Sequence, residues 1–262
     1  MKPGRVLDLG TGTGIWAVEF GICSRSSQPS LGYTASPTFL VTLALPRLVL
    51  TWRDQAEQNP SSSVLGTDLS PIQPAYLPPN CRFEIDDVDD DWAYGHEFDY
   101  IHARYLLPFV KKDWNVLFKS AYDHLNPGGW VESQETIIYF QSVDGSIEGT
   151  ALQRWNALLL QGIQKTGRSA TEALRCQAYL AEAGFVNLSE KKFAVPMNTW
   201  AKGKDQKAVG AMQMANNLEG IDAFTMTVFT RALGWTPADV EKLVIDVKRD
   251  MQDRSIHAYI TV

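Results

Sequence analysis

The sequence has few of the residues that build disulfide frameworks, metal sites and membrane spans. Its 262 residues include three cysteines, Cys23, Cys81 and Cys176, and four histidines. The cysteines form no CxxC pair and the histidines form no HExxH spacing, which favours reduced thiols and predicts no metal site. No apolar run reaches the roughly 18 residues that a bilayer span requires. The pattern therefore excludes a disulfide scaffold and predicts an intracellular protein, cytoplasmic or nuclear, without a membrane partner.

Positive charge is also scarce. Lysine and arginine number 24 against 30 acidic residues, and the formal net charge is −6. Duplex nucleic acids and anionic membranes recruit basic surfaces, so we expect no direct nucleic-acid partner. The length corresponds to one large domain or two small ones, and the 45% hydrophobic content is that of an ordinary globular protein.

The first half of the chain alternates strand and helix patterns. A short apolar run at residues 5–9 leads into a glycine turn and then into an apolar helix start at Ile15. Such alternation is typical of an α/β fold, a doubly wound and mostly parallel sheet. Further strands are predicted at residues 63–67, 81–85, 98–102 and 130–134, with a helix over residues 113–125 and a turn over residues 126–129.

After about residue 150 the pattern becomes mainly helical. Segments 196–253 form either a helical cap over the ligand edge of the sheet or a simple cover for one sheet face. In either case the segment belongs to one predicted domain, residues 1–262. Helices are predicted at residues 151–165, 171–183, 205–219 and 237–253, and strands at residues 186–195 and 256–262.

The glycine turn is the first candidate site. Gly10, Gly12 and Gly14 follow Asp8 in a G-x-G-x-G spacing, whereas dinucleotide folds carry G-x-G-x-x-G, and position 15 here is isoleucine. The spacing therefore weakens a pyrophosphate interpretation. Glycine still lets a ligand approach the backbone closely, because it has no Cβ. A tight strand-to-helix turn without a ligand is the alternative.

Acidic residues follow the next two strands. Asp68 ends the second strand, where an ionised carboxylate can accept hydrogen bonds from both hydroxyl groups of a ribose. Asp87 and Val88 follow the third strand, where a carboxylate and the next backbone N–H suit an adenine ring. Taken singly, each aspartate is also compatible with a helix cap or a solvated turn. Their order along the sheet edge favours a ligand site, because open α/β sheets bind ligands at the carboxyl ends of their strands.

Five segments together resemble a known family: VLDLGTGTG, GTDLSP, FEIDDVDDDW, FDYIHARYLL and LNPGGWVE. They are similar to the class I S-adenosylmethionine-dependent methyltransferases, and in detail to the fungal methyltransferases of secondary-metabolism regulation, the velvet-complex type. The resemblance implies a Rossmann-like sheet of seven strands, the last antiparallel. It implies S-adenosylmethionine as cofactor, a small-molecule or protein methyl acceptor, and a possible regulatory protein partner.

The resemblance also implies roles for single residues. Asp8 and the loop (Gly10, Thr11, Gly12, Gly14) would lie near the methionine part of the cofactor, Asp68 would hold the ribose, and Asp87 with Val88 the adenine. We also predict that Arg104 contacts the cofactor.

His102 precedes Arg104 on the same side of the sheet. His102 is a candidate catalytic base, since a histidine pKa lies near working pH, with a structural hydrogen bond as the alternative. The sequence HARY replaces the N/D-P-P-Y motif of amine-modifying branches, which disfavours nucleobase methylation.

One segment departs from the family pattern. Gly14 and Asp68 are 54 positions apart, whereas the usual distance in a βαβ unit is about 20. Removing residues 21–55 leaves 19 positions and restores the pattern. We interpret this segment as a retained intron, with a lineage-specific loop as the alternative. Only four residues precede the first strand, where the family usually has helices, so activity of this exact chain is less secure than its ancestry.

Two other functions remain open from the sequence. The chain could be a catalytically impaired methyltransferase fold that serves as a regulatory or binding protein. An NAD-dependent oxidoreductase is less favoured, because of the glycine spacing.

Overall fold

The computed structural model describes residues 3–21, 61–106, 110–111 and 113–262. Its contacts divide the chain into two compact units. Within the described residues, the first unit extends to Glu135 and includes Arg175–Glu190, and the second comprises Thr136–Leu174 and Lys191–Val262. The predicted insertion at residues 21–55 lies outside the described residues, apart from Gly21. The single domain over residues 1–262 stays a prediction.

The first unit is built on a five-stranded parallel sheet with the order β3-β2-β1-β4-β5. This architecture confirms the predicted α/β class. Between β1 and β4 the strand order reverses, which is where doubly wound sheets bind their ligands. The strands are β1 (Arg5–Leu9), β2 (Ser63–Asp68), β3 (Cys81–Ile85), β4 (Phe98–Arg104) and β5 (Leu125–Gln134), and the helices are α1 (Ile15–Gly21), α2 (Trp114–Asp123) and α4 (Cys176–Ala183).

The central strands form because their apolar runs are covered on both faces. Val6, Leu7 and Leu9 of β1 are almost completely buried, as are Val64 and Leu65 of β2. Parallel strands buried on both faces have such near-continuous apolar sequences. Asp8 is therefore a polar exception in the middle of the core, and its burial requires hydrogen-bond partners.

The predicted turn at residues 126–129 is wrong, because these residues belong to β5. The pairing of β5 with β4 shifts between Phe98 and Tyr100, so the Asn-Pro-Gly-Gly segment forms an irregularity inside the strand. Asp99 stabilises it by accepting a hydrogen bond from the Asn126 amide at 2.9 Å. The other Asp99 oxygen accepts from the backbone of Gly4 and Arg5 at 2.7 and 2.8 Å, and the Arg5 bond is the main reason that the pKa of Asp99 is lowered.

The second unit contains an antiparallel sheet with the order β6-β8-β7. The expectation of one seven-stranded sheet is therefore wrong for the described residues. Both edges of β8 are paired within this sheet, with β6 on one side and β7 on the other, so β8 does not extend the parallel sheet. The strands are β6 (Gln141–Ser142), β7 (Ala194–Pro196) and β8 (Ala258–Thr261).

The helices of the second unit surround a common apolar core. They are α3 (Ala151–Lys165), α5 (Lys204–Val228) and α6 (Pro237–Gln252). Thr150 and Thr236 cap α3 and α6 through their side chains. The predicted strand at residues 186–195 shrinks to β7. The cap over residues 196–253 corresponds to α5 and α6, and its covering role stays a prediction. Among the described residues, none of the helices is long and apolar enough to cross a membrane.

Candidate functional site

The glycine loop leaves the carboxyl end of β1 in a conformation that favours glycine. Gly10, Gly12 and Gly14 have φ angles of +61°, +57° and +75°. Residues with a Cβ rarely adopt such angles. Inside the turn, the N–H of Gly14 donates to the carbonyl of Thr11 at 2.9 Å. The loop is thus a tight, left-handed connection from the strand to α1.

The three glycines differ in what surrounds them. A Cβ on Gly14 would lie 2.3 Å from the Phe83 ring, and one on Gly10 would lie 2.7 Å from Leu106. A Cβ on Gly12 would meet no atom of the described residues within 4 Å. Gly10 and Gly14 are therefore required by packing as well as by φ. Gly12 is the loop position whose Cβ direction is clear of the described residues, where a ligand can approach the backbone.

Asp68 joins the end of β2 to the glycine loop. Its Oδ2 accepts the N–H of Gly12 at 2.8 Å, and its Oδ1 accepts the N–H of Ser70 at 2.9 Å. The side chain is half-buried. A carboxylate has about four lone-pair positions, so two remain for the paired hydroxyl groups of a ribose. The residues present therefore fit a ligand of the predicted kind.

A second side chain from the same connection reaches the loop. The Nε2 of Gln73 donates to the carbonyl of Gly12 at 2.7 Å and to that of Ser70 at 2.9 Å. Sequence reasoning missed this residue, since nothing in its local pattern marks it. The contact joins positions 61 residues apart and is visible only in the fold.

A buried polar network lies behind the loop. Asp8 Oδ1 is 2.8 Å from Nδ1 of His102, which is its register partner on β4, and Asp8 Oδ2 accepts the Thr11 hydroxyl at 2.5 Å. An ionised carboxylate only accepts, so the His102 Nδ1–H donates. The His102 ring stacks on Trp16 of α1 with a centroid distance of 3.8 Å.

The burial of His102 favours the structural alternative over the role of a catalytic base. Its ring is completely buried, and its Nε2 has no partner among the described residues. A catalytic base must reach the proton that it removes. One ring nitrogen is instead hydrogen-bonded to Asp8, and one ring face stacks on Trp16. This arrangement corresponds to the structural hydrogen bond that is the alternative to catalysis.

The thiol of Cys81 lies at the start of β3. Burial, followed by the negative charge of Asp8, raises its pKa to about 11. The protonated form is a poor nucleophile, so this thiol is unsuited to covalent catalysis near neutral pH. The part of the chain that the structure describes also holds no cluster of three or more His, Cys, Asp or Glu suited to a metal ion.

The segment after β3 places Asp87 and Val88 at the same sheet edge. The side chain of Asp87 accepts the N–H of Asp89 at 3.0 Å, and the Lys111 ammonium lies 3.7 Å from its other oxygen. The carbonyl of Val88 accepts the Trp92 indole N–H at 3.3 Å. The Val88 N–H and the Asp87 carboxylate thus belong to a loop that is fixed by its own contacts.

Two further residues complete this edge. Arg104 ends β4 opposite Gln134 of β5 and is half-buried, and its contact with a cofactor stays a prediction. Asp89, in the acidic loop that follows Asp87 and Val88, accepts the backbone N–H of Lys111 at 2.9 and 3.1 Å. The acidic loop is therefore tied to the segment that follows β4.

We expect alanine at Gly14 to destabilise the first unit more than alanine at Gly12. Both variants carry the same left-handed strain, of about 1–2 kcal/mol. Only the Gly14→Ala variant also forces a methyl group into the Phe83 ring, and such overpacking costs about 1–3 kcal/mol. Urea unfolding of both variants measures the difference. Equal losses of stability would contradict the assignment of Gly14 to packing and of Gly12 to open space.

Comparison with known proteins places the chain in a family. Residues 1–190 match the family described as a methyltransferase domain. The methyltransferase pytC of Aspergillus terreus is 34% identical over 255 residues, which cover 97% of this chain and 68% of pytC. The secondary metabolism regulator laeA of Monascus pilosus is 32% identical over 264 residues, which cover 98% of this chain and 61% of laeA.

A solved structure is also similar: the phosphoethanolamine N-methyltransferase 2 of Haemonchus contortus in complex with S-adenosyl-L-methionine. Its TM-score is 0.45 and its identity 17%, over 100% of this chain and 48% of that chain. The family match covers well over half of the chain, and pytC aligns along nearly all of it. The chain therefore belongs to the S-adenosylmethionine-dependent methyltransferases, alongside fungal methyltransferases and regulators of secondary metabolism.

Proposed function

We propose that the chain transfers the methyl group of S-adenosylmethionine to a small-molecule or protein acceptor that is linked to fungal secondary metabolism. One observation carries the proposal. The Asp68 carboxylate is bonded to the N–H of Gly12 at the carboxyl end of β2 and keeps two lone-pair positions for a ribose. The laeA relative, which is named a secondary metabolism regulator, supports the link to secondary metabolism.

The chain's own residues orient and hold the cofactor. The glycine loop brings the Gly12 backbone to the ligand edge of the sheet, where Asp68 would accept from the ribose and Asp87 with Val88 would border the adenine. When bound, S-adenosylmethionine supplies a methyl group on a positively charged sulfur for attack by the acceptor. Such a transfer depends on alignment more than on a strong acid or base. The proposal therefore needs no proton transfer by the buried His102.

Calorimetry tests cofactor binding directly. We expect saturable, one-to-one heat with S-adenosylhomocysteine and with S-adenosylmethionine, and none with NAD at the same concentration. NAD is the matched control, because it shares the adenosine but carries a pyrophosphate, which the G-x-G-x-G spacing disfavours. Binding of NAD in preference to both sulfur ligands would overturn the proposal in favour of an oxidoreductase.

The alternative is a methyltransferase fold that acts as a regulatory or binding protein, and a laeA relative is named a regulator. Methyl-tritiated S-adenosylmethionine, incubated with the chain and a fungal extract, separates the two functions. We expect label in the solvent-extractable fraction for a small-molecule acceptor, or in precipitated protein for a protein acceptor. Cofactor binding without label in either fraction would favour the binding protein.

We also propose an intracellular location, which the scarcity of cysteine supports.

A further inference from the structure

Gly12 is held through both of its backbone polar groups. Its N–H donates to Asp68 at 2.8 Å, and its carbonyl accepts from Gln73 at 2.7 Å. Both side chains come from one stretch of chain, the end of β2 and the connection that follows. The Gly12 peptide, which is clear of the other described side chains, is thus fixed by β2 and its connection.

The Gln73 amide has the donors that are needed to fix the Gly12 peptide. It has two N–H donors, and the two acceptors, the carbonyls of Gly12 and Ser70, lie 2.7 and 2.9 Å from its nitrogen. The Ser70 N–H in turn donates to Asp68. Gln73, Ser70, Asp68 and Gly12 therefore form a closed set of hydrogen bonds at the open edge of the sheet. A carboxylate at position 73 would face the same two carbonyl oxygens with no hydrogen to donate.

Restraint of Gly12 has a physical consequence for binding. Glycine has the widest backbone freedom of any residue, so ordering it carries a large entropic cost. No side chain of the described residues packs where a Gly12 Cβ would lie, so neighbours on that side do not supply the restraint. A loop that is ordered before the ligand arrives binds more tightly, because the ordering cost has already been met.

We propose that Gln73 is a positioning residue for the cofactor, which orders the Gly12 peptide without contacting the transferred methyl group. The proposal rests on the proposed function, since it concerns the affinity of the same site. Gln73 raises the fraction of molecules whose loop is ready to bind, and the apparent affinity follows that fraction. Once the cofactor is bound, the loop is ordered in any case, so the rate of transfer at saturation does not depend on Gln73.

Two variants of similar size remove the donors: Gln73→Met, which is neutral, and Gln73→Glu, which adds carbonyl–carboxylate repulsion. We expect S-adenosylhomocysteine to bind about tenfold or more weakly to both, with the larger loss for the glutamate. Gln252→Met is the matched control. Its amide also donates to a backbone carbonyl, that of Lys248 at 3.0 Å, but in the second unit. We expect this control to bind as the wild type does.

Hydrogen exchange separates positioning from a purely structural role and needs no ligand. In the Gln73→Met variant we expect faster exchange at the loop amides of residues 10–14, with unchanged exchange in β4 and an unchanged melting temperature. For methyl transfer we expect a raised KM for the cofactor and an unchanged kcat. Unchanged loop exchange, or an affinity equal to that of the wild type, would overturn the proposal. If the wild type binds no cofactor but its loop exchange depends on Gln73, the proposed function fails and only the ordering of the loop survives.

Discussion

Replacing His102 with leucine is expected to lower the free energy of unfolding by about 1–3 kcal/mol, the cost of leaving a buried polar group without its hydrogen-bond partner. The Asp8 carboxylate, which is 2% exposed, would keep its hydrogen bond from the Thr11 hydroxyl and lose the one from the His102 Nδ1–H. The remaining hydrogen bond would then offset only part of the free-energy cost of burying the Asp8 carboxylate. The leucine would also lose the stacking on Trp16. Urea unfolding followed by circular dichroism measures the change.

The His102→Asn variant is the control for the hydrogen bond. Asparagine is close to leucine in size, and its amide nitrogen lies near the position of Nδ1, so it can still donate to Asp8. It loses the ring stacking and some of the ring volume, and such aromatic pairs contribute about 0.5–1.5 kcal/mol. We therefore expect the asparagine variant to be clearly more stable than the leucine variant. Equal destabilisation would mean that ring packing, and not the bond to Asp8, is the contribution of His102.

The strands were predictable where the sequence has short apolar runs that end in polar residues. β1 and β3 have the predicted bounds, and β2 differs by one residue. The start of β5 was not predictable, because Asn-Pro-Gly-Gly is a turn signal in isolation. It becomes part of a strand through the Asn126 bond to Asp99 on β4, and that contact is not local in the sequence.

The candidate site shows the same division. The spacing of the glycines and the placement of acids after successive strands predict the loop, Asp68 and Asp87 as site residues, because these signals are local. Gln73, Phe83 and Trp16 were missed as site residues. Each matters through a partner on another element, namely Gly12, Gly14 and His102. Single-sequence reasoning also placed His102 on the correct strand without indicating that its ring is buried.

The grouping of the last strands needed the structure for a similar reason. β8 has an alternating buried pattern, and its sequence does not say which strand lies beside it. Its pairing with Gln141–Ser142 on one edge and with Ala194–Pro196 on the other shows that it belongs to the antiparallel sheet. Strand partners are set by pairing between distant segments, so the number of strands in one sheet was the weakest part of the fold prediction.

The Asp68→Ala variant is expected to bind S-adenosylhomocysteine more weakly by about 1–3 kcal/mol, the cost of leaving polar groups without partners. Two causes contribute. The ribose hydroxyls lose their acceptor, and the Gly12 N–H loses the bond of 2.8 Å that holds the loop. The Asp68→Asn variant keeps one side-chain oxygen for Gly12 and loses the charge, so we expect an intermediate affinity.

A ligand without the ribose hydroxyls separates the two causes. We expect the 2′,3′-dideoxy analogue of S-adenosylhomocysteine to bind the wild type weakly, and to lose little more affinity in the Asp68→Ala variant. The reason is that only the loop contribution remains to be lost. Calorimetry measures the affinity of both ligands for both proteins. The loss of binding free energy caused by Asp68→Ala is then compared between the two ligands, and the difference is the coupling energy between Asp68 and the ribose hydroxyls. Equal losses for the two ligands would mean that Asp68 acts on the cofactor only through Gly12, and the assignment of Asp68 to the ribose would then be wrong.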